Sequence, residues 1–158
     1  MADLTPADGL QPSLLDRLTH QAAPALSMAK LRDCVRRDLS ELLNTIHLAA
    51  VEDLDQYPEV ARSTLNFGIP DLTGITGASI NPAELERAIR QAIVDFEPRI
   101  VPASLKVEVV VRSHEMSRNA LSFLIDGEMW AHPLPLAMRL ESTIDLETGS
   151  AVVSDRPR

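Results

Sequence analysis

Leu105-Lys106-Val107-Glu108-Val109-Val110-Val111-Arg112 is the stretch at which the periodicity of the chain changes. Leu105, Val107, Val109 and Val111 alternate with Lys106, Glu108, Val110 and Arg112, the pattern of a half-buried strand. The C-terminal part of the chain keeps that period of two. Leu121, Phe123 and Ile125 alternate with Ser122, Leu124 and Asp126. Met138, Leu140, Ser142, Ile144 and Leu146 alternate with Arg139, Glu141, Thr143 and Asp145. Asp126-Gly127 is a turn signal. Residues 128–137 contain Pro133 and Pro135, so they read as extended or looped rather than as central strand. Glu147-Thr148-Gly149-Ser150 is a hairpin signal with a short return strand, Ala151–Val153.

The chain before residue 105 is helical or irregular. A helix is expected from about Met28 to Ile46, where Leu31, Cys34, Val35, Leu39, Leu42, Leu43 and Ile46 form one apolar stripe. Arg32, Asp33, Arg36, Arg37, Ser40 and Glu41 lie opposite and read as a solvated face. A second helix begins with Asn81 as N-cap, Pro82 at N1 and Glu84 at N3. Its stripe is Leu85, Ala88, Ile89, Ala92, Ile93 and Phe96, and Pro98 ends it. Between the helices, residues 47–80 are mostly irregular. Leu65 to Leu72 form a shaped loop, with Asn66 and Gly68 tolerating left-handed backbone and Pro70 fixing φ.

Helices first and strands later argue for an α+β fold rather than a βαβ repeat. The expectation is two main helices plus a short N-terminal helix, packed on a small mixed or mostly antiparallel sheet of three to four strands. Residues 1–12 read as a tail. Residues 13–27 read as a short helix and spacer, in which Ser13 caps and Leu14, Leu15 and Leu18 are apolar. Residues 28–153 make one domain, and 154–158 a second tail.

The chain has 158 residues, with 45% hydrophobic, 24% charged and 3% aromatic, so its core is aliphatic. A net charge of −8 opposes binding to nucleic acid or to an anionic membrane surface. No apolar run approaches the roughly 20 residues that span a bilayer, and the N-terminus has no secretory signal pattern. With the single Cys34, this places the expected location in the cytoplasm.

The residues ask for little chemistry. P-loop and dinucleotide-binding motifs are absent, and Ser79 lacks the frame of a nucleophile elbow. His20, His47, His114 and His132 show no metal-ligand spacing. Cys34 reads as a buried structural thiol. Glu97, flanked by Phe96 and Pro98, is the best single candidate for the acid of a glycosidase, but spacing singles out no partner carboxylate and Arg99 favours its ionised form. No catalytic residue, cofactor or metal is expected. Glu97, Pro98 and Arg99 read instead as a polar clamp at the junction of helix and sheet.

Several segments together resemble one family. They are Ser13-Leu14-Leu15-Asp16-Arg17-Leu18, Leu31 to Asn44, Leu65-Asn66-Phe67-Gly68-Ile69-Pro70-Asp71-Leu72, Phe96-Glu97-Pro98-Arg99, Gly127-Glu128-Met129-Trp130-Ala131 and Ile144-Asp145-Leu146-Glu147-Thr148-Gly149. The ordered set resembles the TssE subunits of type VI secretion baseplates, kin to the small wedge protein of contractile phage tails. Phe67 stands where relatives often carry Tyr, and Met129 where Leu is common. The resemblance implies a structural subunit at the cytoplasmic side of the inner membrane. It would bind other wedge proteins and sheath subunits and seed the contractile sheath. Lysozyme-like hydrolysis, a historical label of the phage relatives, is the alternative. The residues expected to meet partners are Leu14, Leu15, Leu18, Asn66, Phe67, Ile69, Trp130 and Val152, with strand addition at the sheet as the expected mode.

Overall fold

The computed structural model describes residues 18, 27–75, 81–110, 120–130 and 135–156. The chain is α+β. Helix α1 spans Met28–Leu43, α2 is a single turn at Pro58–Ala61, and α3 spans Pro82–Phe96. Strands β1 (Lys106–Val110), β2 (Ala120–Met129), β3 (Leu136–Asp145) and β4 (Ala151–Asp155) form one antiparallel sheet in the order β1-β2-β3-β4. Consecutive antiparallel strands lie side by side, as short connections dictate.

Ser27 caps α1, its hydroxyl accepting from the Lys30 amide at 3.3 Å. The helix buries Leu31, Val35, Leu39, Leu42 and Leu43. It stops at Leu43, three residues short of the expected end. The Asn44 amide bonds back to Ser40, while Ile46 has left the helix, pairs with Ile69 and stays half exposed. Cys34, expected buried, sits on the flank of the stripe and is half-buried. Helix α3 starts as the sequence predicts, with Asn81 at N-cap and Pro82 next, although the Asn81 side chain makes no cap bond. It buries Leu85, Ile89, Ala92 and Ile93.

The register puts matched residues on the helix-facing side of the sheet. Val109, Phe123, Ser142 and Val153 form one row across all four strands; Leu121, Ile144 and Ala151 form another. Phe123, Ile125, Leu140 and Ile144 are at most 1% exposed and meet the apolar stripes of the helices. Each such side chain contributes roughly 1.5–3 kcal/mol through burial. Helix α1 contacts β4, α3 contacts β1, and the two helices contact each other.

Three strand expectations need correction. Asp126-Gly127 is not a turn: both residues lie inside β2, opposite Arg139 and Met138. A Cβ at Gly127 would sit 3.5 Å from the Ile100 side chain and 3.7 Å from Leu105, so the glycine lets another segment approach β2 closely. Second, Glu128 and Met129 belong to β2, and Leu136 and Ala137 to β3, because the two strands pair over ten residues each. Third, β4 continues through Ser154 and Asp155, which read as tail from sequence but pair with Glu141 and Leu140.

Residues 47–75, expected to be irregular, contain ordered turns: 3₁₀ turns at Leu48–Ala50 and Thr64–Asn66 flank α2. Gly68 has φ +133°, and a Cβ there would collide with the Thr45 carbonyl and lie 2.8 Å from the His47 amide nitrogen, so only glycine fits. The expected N-terminal helix lies outside the described residues except for Leu18, which is helical. Val111 and Arg112 of the first strand, Ser79, His20, His114 and His132 lie outside them too.

Candidate functional site

Helix α3 ends because Pro98 cannot donate the next helical bond. Glu97 takes the C-cap position, where the helix dipole disfavours a carboxylate. It is nevertheless only 3% exposed. Arg99 supplies the compensation. Its Nε donates to Glu97 Oε1 at 2.6 Å, its Nη2 to Oε2 at 2.5 Å, and its backbone amide to Oε1 at 3.1 Å. The same Nη2 reaches Asp38 Oδ2 on α1 at 2.5 Å. Asp38 Oδ1 in turn accepts from Arg37 Nε and Nη2 at 3.0 and 2.8 Å.

Burial by itself would push the Arg99 guanidinium toward losing its proton. Hydrogen bonds and charge from Glu97 and then Asp38 outweigh it and hold the guanidinium above its ordinary value. Charge-assisted forks of this kind are short and geometrically selective.

The backbone beyond the clamp is held just as firmly. The Trp130 amide donates to the Arg99 carbonyl at 2.7 Å, and the Val101 amide to the Glu128 carbonyl at 2.8 Å, around a bridge between Ile100 and Met129. The Glu128 amide donates to Ser104 Oγ at 2.8 Å. Glu97, Pro98 and Arg99 therefore tie α3 to α1 through side chains and to the end of β2 through backbone. Both oxygens of Glu97 are committed to Arg99.

The residues proposed from sequence as partner contacts differ in their exposure. Leu14 and Leu15 lie outside the described residues, and Leu18 is 76% exposed. Ile69 is a core residue at 4% exposed. Phe67 is half-buried and meets Phe96 edge-on, ring centres 5.3 Å apart. Asn66 works within the loop, accepting from the Ala49 amide at 2.9 Å and donating to the Ala61 carbonyl at 2.8 Å. Trp130 and Val152 present exposed apolar side chains, at 62% and 65%.

The sheet edges offer different contacts. The Asp145 amide donates to the Ser150 carbonyl and the Arg156 amide to the Arg139 carbonyl, which fixes the hydrogen-bonded pairs of the β3–β4 ladder. By alternation, Val152 and Ser154 turn their backbone groups toward β3, whereas Ala151, Val153 and Asp155 turn theirs outward. Val152 therefore contributes its side chain to the surface, and its amide to the interior ladder.

Asn44 closes the start of this edge, donating to the Ala151 carbonyl and accepting from the Ala151 amide, both at 2.9 Å. A hollow of about 110 Å³ opens beside it, lined by Ile46, Pro70 and Thr148 among others. At the far end, Arg32 donates to the Ala137 carbonyl at 3.1 Å and approaches Asp155 at 3.4 Å. Asp38, Asn44 and Arg32 were invisible as partners from sequence; Asn44 is a capping residue type but lay inside the expected helix, and only the structure makes it the C-cap.

Among the described residues, no group of three or more His, Cys, Asp and Glu is arranged to hold a metal ion. No helix among them is long and apolar enough to cross a membrane.

No curated protein and no solved structure matches this chain. The family model of baseplate wedge protein gp25 matches residues 29–134, about two thirds of the chain, from the first turn of α1 past the end of β2. That range contains Asp38, Asn44 and the Glu97–Arg99 clamp; β3 and β4 come after it. On this match the chain belongs to the baseplate wedge protein gp25 family, whose members are structural components of contractile, phage-like baseplates.

Proposed function

We propose that this protein is the TssE-type wedge subunit of a type VI secretion baseplate. In this reading it works at the cytoplasmic side of the inner membrane, binds other wedge subunits and seeds the contractile sheath. The family supports the baseplate role, and the motifs from Leu65 to Leu72 and from Phe96 to Arg99 support the secretion-system branch. One observation carries the seeding role. Strand β4 is a sheet edge whose Val153 and Asp155 backbone groups face outward and have no hydrogen-bond partner among the described residues. Such an edge receives an extended segment through main-chain hydrogen bonds.

The clamp then has a mechanical task. It holds α1, α3 and the end of β2 as one rigid body, so that a strand added to the sheet is held in a fixed orientation. Catalysis has no place in this reading, since the one carboxylate considered for it has both oxygens engaged by Arg99.

Deletion of the gene in its host, with fluorescently tagged sheath subunits, tests the proposal. Loss of sheath foci, restored by the wild-type copy, is expected, together with co-purification of other wedge subunits. Normal sheath formation in the deletion strain would refute it, and so would hydrolysis of purified peptidoglycan that Glu97→Gln abolishes.

A further inference from the structure

The segment between α1 and α3 carries apolar side chains that its own fold leaves outside. Val51, Tyr57 and Leu65 are each more than half exposed, three of the seven large apolar residues that stand exposed among the described ones. They fall within fifteen positions of the chain, on a knuckle made of α2 and its two flanking 3₁₀ turns. Val51 follows the first turn directly, Tyr57 precedes α2, and Leu65 lies in the second turn. That second turn contacts both the first turn and α2.

The knuckle is held from beneath. The Asn66 side chain joins the first turn to α2 through the Ala49 amide and the Ala61 carbonyl. Phe67 roots the knuckle on Phe96 of α3. Ile69 roots it on the end of α1, its amide donating to the Thr45 carbonyl at 2.8 Å and its carbonyl accepting from the His47 amide at 3.0 Å. Asn66, Phe67 and Ile69 thus work inward, and their neighbours face solvent. Apolar anchors fixed in advance lose little freedom on binding. Exposed apolar residues rimmed by polar ones mark interaction surfaces.

The rim has one sign. Glu52, Asp53, Asp55 and Glu59 are all exposed, and none pairs with a basic side chain among the described residues. From residue 47 to residue 66 the only side chain with a fixed positive charge is Arg62. We propose that this knuckle is a docking surface for another wedge subunit, and that its occupant is a basic segment with apolar side chains between its lysines and arginines. Val51, Tyr57 and Leu65 meet the apolar side chains of that segment, while the carboxylates select its charge. A second copy of this chain is a poor occupant, because it would bring the same carboxylates against these. The proposal rests on the wedge reading above and gives one of its contacts a place and a chemistry, apart from the sheet.

Binding of the purified chain to the remaining wedge subunits of its host, co-expressed and purified together, tests this by biolayer interferometry. Val51→Ser, Tyr57→Ser and Leu65→Ser combined should raise Kd at least about tenfold, the scale of losing one well-placed anchor. Circular dichroism should show an unchanged fold, since all three side chains already meet water. Glu52→Lys with Asp55→Lys should weaken binding independently of the apolar residues. Glu52→Gln with Asp55→Asn should make it less sensitive to salt, because screening acts on the exposed charges that these changes remove.

A serine variant that binds as the wild type does overturns the docking surface and leaves the wedge reading standing. A charge-reversed variant that binds more tightly assigns the knuckle an acidic partner and overturns the stated chemistry. Sedimentation of the purified chain should show no self-association that depends on these residues; a dimer that the serine variant dissociates would make a second copy the occupant, against the proposal. A wild-type chain that binds no wedge subunit refutes the wedge reading, and the proposal falls with it.

Discussion

Asn44 stands edge-on to Ala151, 107 residues away in sequence, and its carboxamide makes both hydrogen bonds of a strand neighbour at 2.9 Å each. Asn44 Nδ2 also donates to the Ser40 carbonyl at 2.7 Å. The residue that terminates α1 thereby pins the start of β4 beneath that helix.

Asn44→Ala should lower stability by about 1–3 kcal/mol, since it deletes the Ser40 bond and the two partly buried bonds to Ala151. Urea denaturation monitored by circular dichroism measures this. Asn44→Asp keeps an acceptor for the Ala151 amide but sets a carboxylate against the Ala151 carbonyl, so it should be no better than alanine. An unchanged midpoint in both variants would show that the pair contributes nothing.

The clamp should behave as a unit with unequal members. Arg99→Ala strands Glu97, which is 3% exposed, without a counter-charge. Removing one partner of a buried pair costs about 3–5 kcal/mol. Arg99→Lys should recover little, because an ammonium cannot reproduce the fork to both Glu97 oxygens and to Asp38. Asp38→Ala should cost about 1 kcal/mol, the scale of a partly exposed pair. A double-mutant cycle of Asp38 with Arg99 checks the coupling; additive losses would mean that the contact between them carries no energy.

Ser142 occupies the middle of the core row between Phe123 and Val153, is fully buried, and its hydroxyl has no hydrogen-bond partner among the described residues. A buried hydroxyl without a partner costs free energy. Ser142→Ala should therefore raise stability by about 1 kcal/mol, read as a higher thermal midpoint. A loss of comparable size would reveal a partner for the hydroxyl.

Asp71 shows the pH dependence. The Thr73 hydroxyl at 2.7 Å and then the Thr73 amide at 2.9 Å hold its carboxyl below the usual carboxylate range. Because the folded value is depressed, this contribution is complete above the ordinary aspartate range and is lost as the pH falls through the folded value. Thr73→Val removes the larger cause, so carbon-13 titration should place the Asp71 carboxyl higher than in the wild type. An unmoved titration would assign the shift to something other than the hydroxyl.

The range of each interaction sets how much of the fold and of the clamp is legible in the sequence. Pro82 after Asn81 marked the start of α3, and Pro98 marked its end, because proline acts on its own backbone and its immediate neighbours. The alternation from Leu105 onward marked strands, because side chains on one face of a strand recur every second residue. Arg99 was visible as a partner for Glu97 because the two lie so close in the chain. Asp38 was not, since it stands 61 positions from Arg99. Asp126-Gly127 misled for the same reason. A dipeptide that usually turns was kept extended by ten residues of β3 across from it, and by the approach of Ile100 and Leu105 that the glycine permits.

The sequence by itself determined which segments coil and which extend, the aliphatic character of the core and the family of the chain. Those properties rest on local steric preference, on periodic burial and on motifs in order. Only the tertiary structure decided which strands are edges, that Glu86 and Arg90 bond the Val109 amide and the Leu105 carbonyl at one of them, and that Asn44 lies against the other. Such pairings join groups far apart in the chain, and no local preference specifies them. They come into being when packing of the helices on the sheet brings side chain and strand backbone within hydrogen-bonding reach.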